Sequence, residues 1–259
     1  MSDPRRKQPR DGKAFVSGQL PDGLRIYAIG DIHGRFDLLQ MLYGEIRRDL
    51  EKSRPQRSTE IFLGDYIDRG PQSREVIEWL VRSQPACDER ICLMGNHEDL
   101  LLGALDREDE VAVWFYNGGV ATLLSYYQGP RSQLTFSEAR RAFLGAFPSH
   151  HRAFVENLPR IIVLGGYIFV HAGLNPAHAL DDQHAHDLVW IREPFLSSNA
   201  DFGRIVVHGH TPAMEPEMRA NRINIDTGAF FTGRLTCLVL ERDERRFLQA
   251  SLETAGPLR

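Results

Sequence analysis

Three times in the first hundred residues, an apolar run ends at a glycine, a short polar segment follows, and a helix-like periodic stretch comes next. Repeated strand–loop–helix units are typical of an α/β fold, in which helices cover a largely parallel sheet. Ligands of such sheets gather at the carboxyl ends of the strands, so we expect the polar segments to share one site. The predicted strands are Leu24–Ile29, Glu60–Leu63 and Arg90–Met94, and the predicted helices are Phe36–Leu50, Ser73–Arg82 and Asp99–Leu105.

The second half of the chain predicts strands joined by short turns. Ile161–Leu164 and Tyr167–Val170 flank two glycines, which is a hairpin signal. We assign four further strands to a second, mixed or antiparallel sheet, namely Arg204–Val207, Arg222–Ile225, Leu235–Glu241 and Arg246–Ser251. Two sheets packed face to face with helices outside predict a four-layer α/β/β/α sandwich of two mixed sheets with flanking helices.

Roughly residues 106–158 interrupt this pattern with an aromatic-rich, mostly helix-like insertion that carries no ligand-like cluster. Two interpretations stay open: the insertion covers one side of the site, or it adds scaffold helices only. We predict that residues 1–19 form a disordered basic arm and that residues 20–259 form a single domain.

Composition narrows the class of protein. The formal net charge of −4 gives no reason to expect a nucleic-acid partner. The longest apolar run, Ile161–Val170, is too short to span a bilayer, and the N-terminus lacks a hydrophobic signal region. Three cysteines without paired spacing suit a reducing compartment. We therefore predict a soluble cytoplasmic protein that contacts neither membrane nor nucleic acid, and we leave its oligomeric state open.

The polar segments at the strand ends carry side chains that bind metals. Asp31 and His33 are two residues apart, so in an extended chain they share a face. Asp65 ends the neighbouring strand, and its two oxygens can bridge two cations. The other candidate ligands are Asn96, His171 and His210. This mixture suits manganese, iron or zinc better than calcium, and the absence of thiolates argues against a structural zinc site.

The number of candidate ligands suits two ions, and a two-metal centre hydrolyses phosphate esters at neutral pH. A water bridging the two ions would lose a proton and become the attacking hydroxide, without a covalent enzyme intermediate. Arg69 is placed to bind the phosphoryl oxygens through its guanidinium fork. His97 is the candidate general acid, and Asp68 is the carboxylate that orients its imidazole and raises its pKa.

These segments resemble the motifs of a known family. Gly-Asp-Ile-His-Gly, Gly-Asp-Tyr-Ile-Asp-Arg-Gly and Gly-Asn-His-Glu, which begin at Gly30, Gly64 and Gly95, resemble the N-terminal motifs of the phosphoprotein phosphatase family of dinuclear metallophosphoesterases. His171–Gly173 and Gly209–Pro212 resemble the C-terminal motifs of its small bacterial and phage-type members. The resemblance implies the calcineurin-like, metallo-dependent phosphatase fold.

The resemblance also implies roles for single residues. One metal would be held by Asp31, His33 and Asp65, and the other by Asp65, Asn96, His171 and His210. It implies Arg69 and Asn96 at the substrate phosphate, and His97 with Asp68 as acid and orienter. The stretch Trp190–Glu193 resembles a phage-type segment that supplies a second phosphate-binding arginine, here Arg192. Of the metals usual in the family we expect manganese, with iron or zinc as alternatives.

The function implied is hydrolysis of phosphoserine and phosphothreonine in proteins, with phosphotyrosine left open. The alternative is a symmetrical dinucleoside (diadenosine) tetraphosphate hydrolase or another small-molecule phosphoesterase. Symmetrical hydrolases typically lack the acid at Asp68, carry aspartate at Glu98 and carry tryptophan at Thr211, and all three differences favour the protein phosphatase. A non-catalytic metal-dependent binding module is disfavoured because His97, Asp68 and Arg69 serve turnover.

The remaining polar clusters receive structural interpretations. His208 could be a further metal ligand, but it precedes the glycine turn, so we place it behind the ligands or on the surface. Asp226–Gly228 is expected to belong to the framework. The histidines predicted to lie on the surface are His150, His151, His178, His184 and His186.

Overall fold

The computed structural model describes residues 18–129 and 134–252. Nearly all of the predicted basic arm, residues 1–17, lies outside this range, as do residues 253–259 at the end of the predicted domain. Within the described residues, no helix combines the length and the apolar character needed to cross a membrane.

The secondary structure follows the predicted order of elements. The strands of the described part are β1 (Leu24–Ile29), β2 (Arg57–Phe62), β3 (Glu89–Cys92), β4 (Ile161–Leu164), β5 (Tyr167–Val170), β6 (Ile205–His208), β7 (Glu217–Met218), β8 (Arg222–Asn224), β9 (Arg234–Glu241) and β10 (Glu244–Ser251). Its helices are α1 (Phe36–Lys52), α2 (Ser73–Arg82), α3 (Asn96–Asp106), α4 (Val111–Trp114), α5 (Val120–Tyr126), α6 (Phe136–Ala146), α7 (Ser149–Glu156), α8 (Ala185–Trp190) and α9 (Ala229–Thr232).

The first sheet has the strand order β10-β9-β1-β2-β3. β1, β2 and β3 are parallel as predicted, whereas β9 runs antiparallel to β1 and β10 antiparallel to β9. The assignment of Leu235–Glu241 and Arg246–Ser251 to the second sheet is therefore wrong. Hairpin signals are local and do not reveal which sheet a hairpin joins; the burial of β9 on both faces suits its place between β1 and β10.

The second sheet has the order β4-β5-β6-β8-β7 and is mixed. β5, β6 and β8 are parallel, and β4 and β7 close its edges as antiparallel strands. The predicted hairpin of β4 and β5 is confirmed. β7 was not predicted because it has only two residues, both exposed, so it leaves no alternating pattern in the sequence.

Alternate residues of each strand enter different cores, and this defines the layers. Ile26 of β1 packs between the sheets against Phe169 and Val207. Tyr27 points the other way, into the core under the helices α1 and α2. Ile168 lies on the outer face of the second sheet in a smaller core with α8 and the chain that follows it. The predicted four-layer α/β/β/α sandwich of two mixed sheets is confirmed.

In the predicted insertion, the described residues 106–129 and 134–158 contain α4 to α7 with a π-helical turn at Phe115–Gly119. Its buried aromatic side chains, including Trp114, Tyr126 and Phe143, join the core that contains Tyr27. The insertion thus packs on the helical side of the first sheet, next to the carboxyl end of β2.

Candidate metal centre and active site

The carboxyl ends of strands from both sheets meet at one edge of the sandwich. The backbone N–H of His210 donates to Asp31 Oδ2 at 3.0 Å, and His171 Nδ1 is 3.0 Å from the carbonyl of Leu63. These contacts join the ends of β1 and β2 to the ends of β5 and β6. The structure brings all six predicted metal ligands together, each at most 6% exposed: Asp31, His33, Asp65, Asn96, His171 and His210.

The backbone is strained where it turns into this site. Six non-glycine residues of residues 18–129 and 134–252 have positive φ, and five of them belong to the site: His33, Asp65, Asp68, Arg69 and His210. Such conformations cost free energy and cluster where surrounding structure enforces a function. Gly209 shows how tight the approach is, because a Cβ there would lie 2.0 Å from Asp31 Oδ1.

Glu98 fixes the turn at Asp65, a role that the sequence analysis missed. Its carboxylate accepts backbone N–H bonds from Asp65 at 2.9 Å and from Tyr66 at 2.8 Å. It also accepts the N–H of Gly95 at 3.0 Å. Three hydrogen bonds accepted by this one buried carboxyl group hold the loops after β2 and β3 together, while burial beside Asp65 raises the pKa of Glu98 to about 8.

Two groups of side chains in the site are compact enough to hold a metal ion, and both contain Asp65. Asp65 Oδ1 lies 3.3 Å from His171 Nε2, and Oδ2 lies 3.4 Å from His33 Nε2. Each oxygen therefore faces a different group, as a bridging ligand requires. The first group consists of Asp65, His171 and His210. The second group consists of His33, Asp65 and His97, whose Nε2 lies 3.9 Å from Asp65 Oδ2, and it does not include Asp31.

Asn96 and Asp31 flank these groups. Asn96 Oδ1 is 3.0 Å from His171 Nε2 and 2.9 Å from His210 Nδ1, so the amide oxygen faces the first group. Asp31 interacts with the buried carboxyl of Asp226 and belongs to neither group. The expectation that Asp226 serves the framework stays a prediction.

The imidazoles of His33 and His171 are fixed in the tautomer that binds metals through Nε2. Their Nδ1 atoms lie 2.9 Å from Ile67 O and 3.0 Å from Leu63 O, and a carbonyl can only accept. The proton must then sit on Nδ1, which leaves the Nε2 lone pair inside the site. Burial lowers the pKa of both rings and lowers the pKa of His210 to about 3, which favours the neutral form that binds metals.

The carboxylates of the site repel one another without a cation. Burial, aided by Asp226 and Asp65, raises the pKa of Asp31, and burial raises the pKa of Asp226 to about 6. Asp31 Oδ1 and His210 Nε2 are buried atoms that find no hydrogen-bond partner within the described part of the chain. Divalent metal ions would neutralise these buried, mutually repelling carboxylates and would bind the lone pairs of the unpartnered oxygen and nitrogen atoms. The residues therefore fit a metal centre.

His97 and Asp68 form a buried pair beside this centre. His97 Nδ1 is 2.7 Å from Asp68 Oδ2, and neither side chain is exposed. Burial acts to lower the pKa of His97, but the carboxylates of Asp65 and Asp68 outweigh it and raise the pKa. Nε2 has no hydrogen-bond partner among the described residues and faces the Asp65 side of the site.

Two residues of the insertion hold Asp68, and the sequence analysis missed both. Thr122 Oγ1 donates to Asp68 Oδ1 at 2.6 Å, and Trp114 Nε1 lies 3.1 Å from each carboxylate oxygen. They are 54 and 46 positions from Asp68, so no local motif could reveal the contact. The insertion thus contacts the site through Asp68, and both interpretations of its role toward the substrate stay predictions.

Arg69 lies at the exposed rim of the site. Its guanidinium stacks over the ring of Phe230 at 4.8 Å, and Nη1 is 3.2 Å from His33 Nε2. Its backbone N–H donates to the carbonyl of Gly118 in the π-helical turn at 3.2 Å. Arg192 follows α8 by two residues and is exposed, and its charge helps to lower the pKa of His171.

One prediction for a histidine outside the site is wrong, and another loses one of its alternatives. Of the two places predicted for His208, the surface is excluded and the place behind the ligands stays: it is fully buried against Phe195, with Nε2 3.4 Å from Arg222 Nη1, and it belongs to neither group. The surface prediction holds for His184 and His186 but is wrong for His151, which is buried. His151 shares the inner face of α7 with Val155 four residues later, a spacing that helical periodicity explains.

Residues 24–228 match the profile of the calcineurin-like phosphoesterase family. The match covers most of the chain, so the chain belongs to this family. The fold is the one that the sequence resemblance implied. The protein is a metallophosphoesterase, a hydrolase whose family uses a dinuclear metal centre.

Similar proteins carry two kinds of name. Bis(5'-nucleosyl)-tetraphosphatase PrpE (asymmetrical) of Anoxybacillus flavithermus is 30% identical over 230 residues, which cover 81% of this chain and 88% of that protein. Serine/threonine-protein phosphatase 1 of Salmonella typhimurium is also 30% identical, over 225 residues, which cover 82% of this chain and 89% of that protein.

Solved structures show the same fold at low identity. A crystal structure of a protein provisionally named a diadenosine tetraphosphatase aligns with a TM-score of 0.62 at 18% identity, covering 93% of this chain and 100% of that chain. A cold-active protein-tyrosine phosphatase of a Shewanella species aligns with a TM-score of 0.53 at 15% identity, covering 89% and 83%.

Proposed function

We propose that this chain is a metal-dependent phosphomonoesterase that hydrolyses phosphoserine and phosphothreonine in proteins. The buried pair of His97 and Asp68 is the observation that supports this most. A serine or threonine alkoxide is a poor leaving group and needs a proton as it departs. Cleavage of a polyphosphate releases a nucleotide phosphate, a far better leaving group, which needs little help from an acid.

Two divalent ions, manganese foremost, are proposed to occupy the centre. Asp65 would bridge them, and the other ligands would be Asp31 and His33 on one ion and Asn96, His171 and His210 on the other. When bound, the ions supply Lewis acidity and turn a water molecule into a nucleophile at neutral pH. The opposite orientation of the two Asp65 oxygens supports its bridging role. The place of Asp31 on the ion beside His33 rests on the family resemblance, since Asp31 lies outside both compact groups.

The protein groups then act around the phosphate. Arg69, Arg192 and Asn96 bind the phosphoryl oxygens, and the stacking of Arg69 on Phe230 limits its rotation. His97 donates the proton on Nε2 to the leaving oxygen. Asp68 accepts a hydrogen bond from Nδ1–H throughout, which keeps the ring oriented and favours its protonated form. Trp114 and Thr122 hold Asp68 in that position.

A second candidate function is hydrolysis of dinucleoside tetraphosphates. Phe230 lies under Arg69, its neighbour Phe231 is 51% exposed, and Tyr116 in the π-helical turn is 87% exposed. Exposed aromatic rings near a phosphate site can stack on nucleobases. The presence of Asp68 argues against a symmetrical hydrolase. The relative named PrpE is described as asymmetrical, so Asp68 does not argue against that activity.

The test compares substrates on manganese-loaded protein. We expect kcat/KM for peptides with phosphoserine or phosphothreonine to exceed that for diadenosine tetraphosphate. Faster cleavage of the dinucleotide would overturn the proposal. The products would then distinguish the two dinucleotide activities, because asymmetrical cleavage gives a mono- and a triphosphate and symmetrical cleavage gives two diphosphates.

A further inference from the structure

A third group of potential metal ligands lies outside the active site, where α2 faces α7. It consists of Glu78, His150 and His151. Glu78 Oε2 is 3.0 Å from His150 Nε2 and 2.5 Å from His151 Nε2. Two imidazole nitrogens from neighbouring residues thus converge on one oxygen of a carboxylate from another helix.

The buried ring of His151 is held from behind. Its Nδ1 lies 2.7 Å from the hydroxyl of Tyr126 on α5. A metal-binding histidine usually has its second nitrogen in such a hydrogen bond, which orients the ring; the hydroxyl can accept from Nδ1–H, the tautomer that leaves Nε2 free for a metal. Burial also lowers the pKa of His151, which favours the neutral ring that a metal needs.

The other side of the group is open to water. The side chains of His150 and Glu78 are 39% and 41% exposed, so an ion can enter with water as its remaining ligands. The second carboxylate oxygen of Glu78 pairs with Arg82. Glu78 therefore offers a single oxygen, which together with two imidazoles makes three protein ligands.

We propose that Glu78, His150 and His151 form a binding site for a divalent transition-metal ion, with zinc as the best match. Two histidines, one glutamate and water form a known set of tetrahedral zinc ligands. The ion would replace the hydrogen bonds between Glu78 and the two Nε2 atoms, with the proton of each ring then on Nδ1 and any excess proton released to water. It would link α2 to α7, and through Tyr126 also to α5, the helix whose Thr122 holds Asp68.

Zinc content after equilibrium dialysis tests the site without reference to activity. We expect His150→Gln to bind one zinc ion fewer per chain than the unmodified protein. The control His178→Gln removes another partly exposed histidine, which pairs only loosely with Asp182 at 3.9 Å, and should keep the full content. Equal zinc content in the unmodified protein and in His150→Gln would overturn the proposal and leave a hydrogen-bonded cluster only.

Two further variants keep the test informative. Glu78→Gln removes the charge from a half-exposed position and should also lose one zinc ion, with folding checked by circular dichroism. Tyr126→Phe keeps the ring volume and should weaken zinc binding at this site about 10-fold, because it removes the bond to His151. Unchanged zinc content in a folded Glu78→Gln protein would contradict the assignment.

Discussion

The strand-end loops and the helical insertion both contribute residues to the candidate active site, but only the contribution of the loops can be recognised from the sequence. The loops place the candidate ligands one to four residues after the end of a strand, so every candidate ligand stands in a short motif. The insertion contributes Trp114, Thr122 and the carbonyl of Gly118 from three separate turns of helix. The loops hold the groups that would bind metal and substrate, whereas the insertion orients the groups that would transfer the proton.

Among substitutions in the strand-end loops, replacing the shared carboxylate of Asp65 should have the largest effect on activity. In Asp65→Asn the charge between the two groups is lost, so we expect at least one metal ion to be lost and activity on every phosphoester to fall by roughly 10⁴-fold or more. Metal analysis and steady-state kinetics measure both effects. Asp181→Asn, which changes an exposed aspartate, is the control, and unchanged metal content in Asp65→Asn would refute the bridging role.

The acid is tested by its dependence on the leaving group. His97→Asn should lower kcat for a phosphoserine peptide by about 10²–10⁴-fold while both metals stay bound. The loss should be much smaller for p-nitrophenyl phosphate, whose leaving group needs no proton. Equal losses on the two substrates would remove His97 from the acid role.

Substitutions in the insertion should show the same dependence on the leaving group, with a smaller loss of kcat. Thr122→Val removes two hydrogen bonds with Asp68, one to its carboxylate and one from its backbone N–H. Trp114→Phe removes the N–H that both carboxylate oxygens share. With each variant kcat for a phosphoserine peptide should fall about 10-fold. The effect should again shrink with p-nitrophenyl phosphate. Trp79→Phe is a matched control, because Trp79 packs on Tyr43 and Phe62 in the same core and has no contact with Asp68. Uniform losses on both substrates would indicate a structural role alone.

This contrast also explains what the sequence could predict. The four-layer fold and the convergence of six candidate ligands follow from local patterns, because each strand end carries its own glycine and polar residues. Contacts between distant segments leave no such pattern. The pairing of β9 with β1 joins strands more than 200 positions apart, and the burial of His151 depends on which face of α7 meets Tyr126. Such features are decided by packing, which a single sequence does not display.

The smallest effect concerns the turn of the insertion that touches Arg69. Gly118 has φ 105°, and a Cβ there would lie 2.8 Å from Arg69 Cγ. Gly118→Ala should lower the free energy of unfolding by about 1–2 kcal/mol and raise KM for the phosphopeptide, because Arg69 must shift.

Gly145→Ala in α6 is the matched control with the opposite sign. A Cβ at Gly145 meets nothing within 4 Å, so alanine should stabilise the helix by roughly 0.5–1 kcal/mol and leave KM unchanged. Denaturant unfolding measures both changes. If Gly118→Ala altered stability without altering KM, the turn would support the insertion but not the phosphate-binding arginine. The insertion would then orient Asp68 but not Arg69.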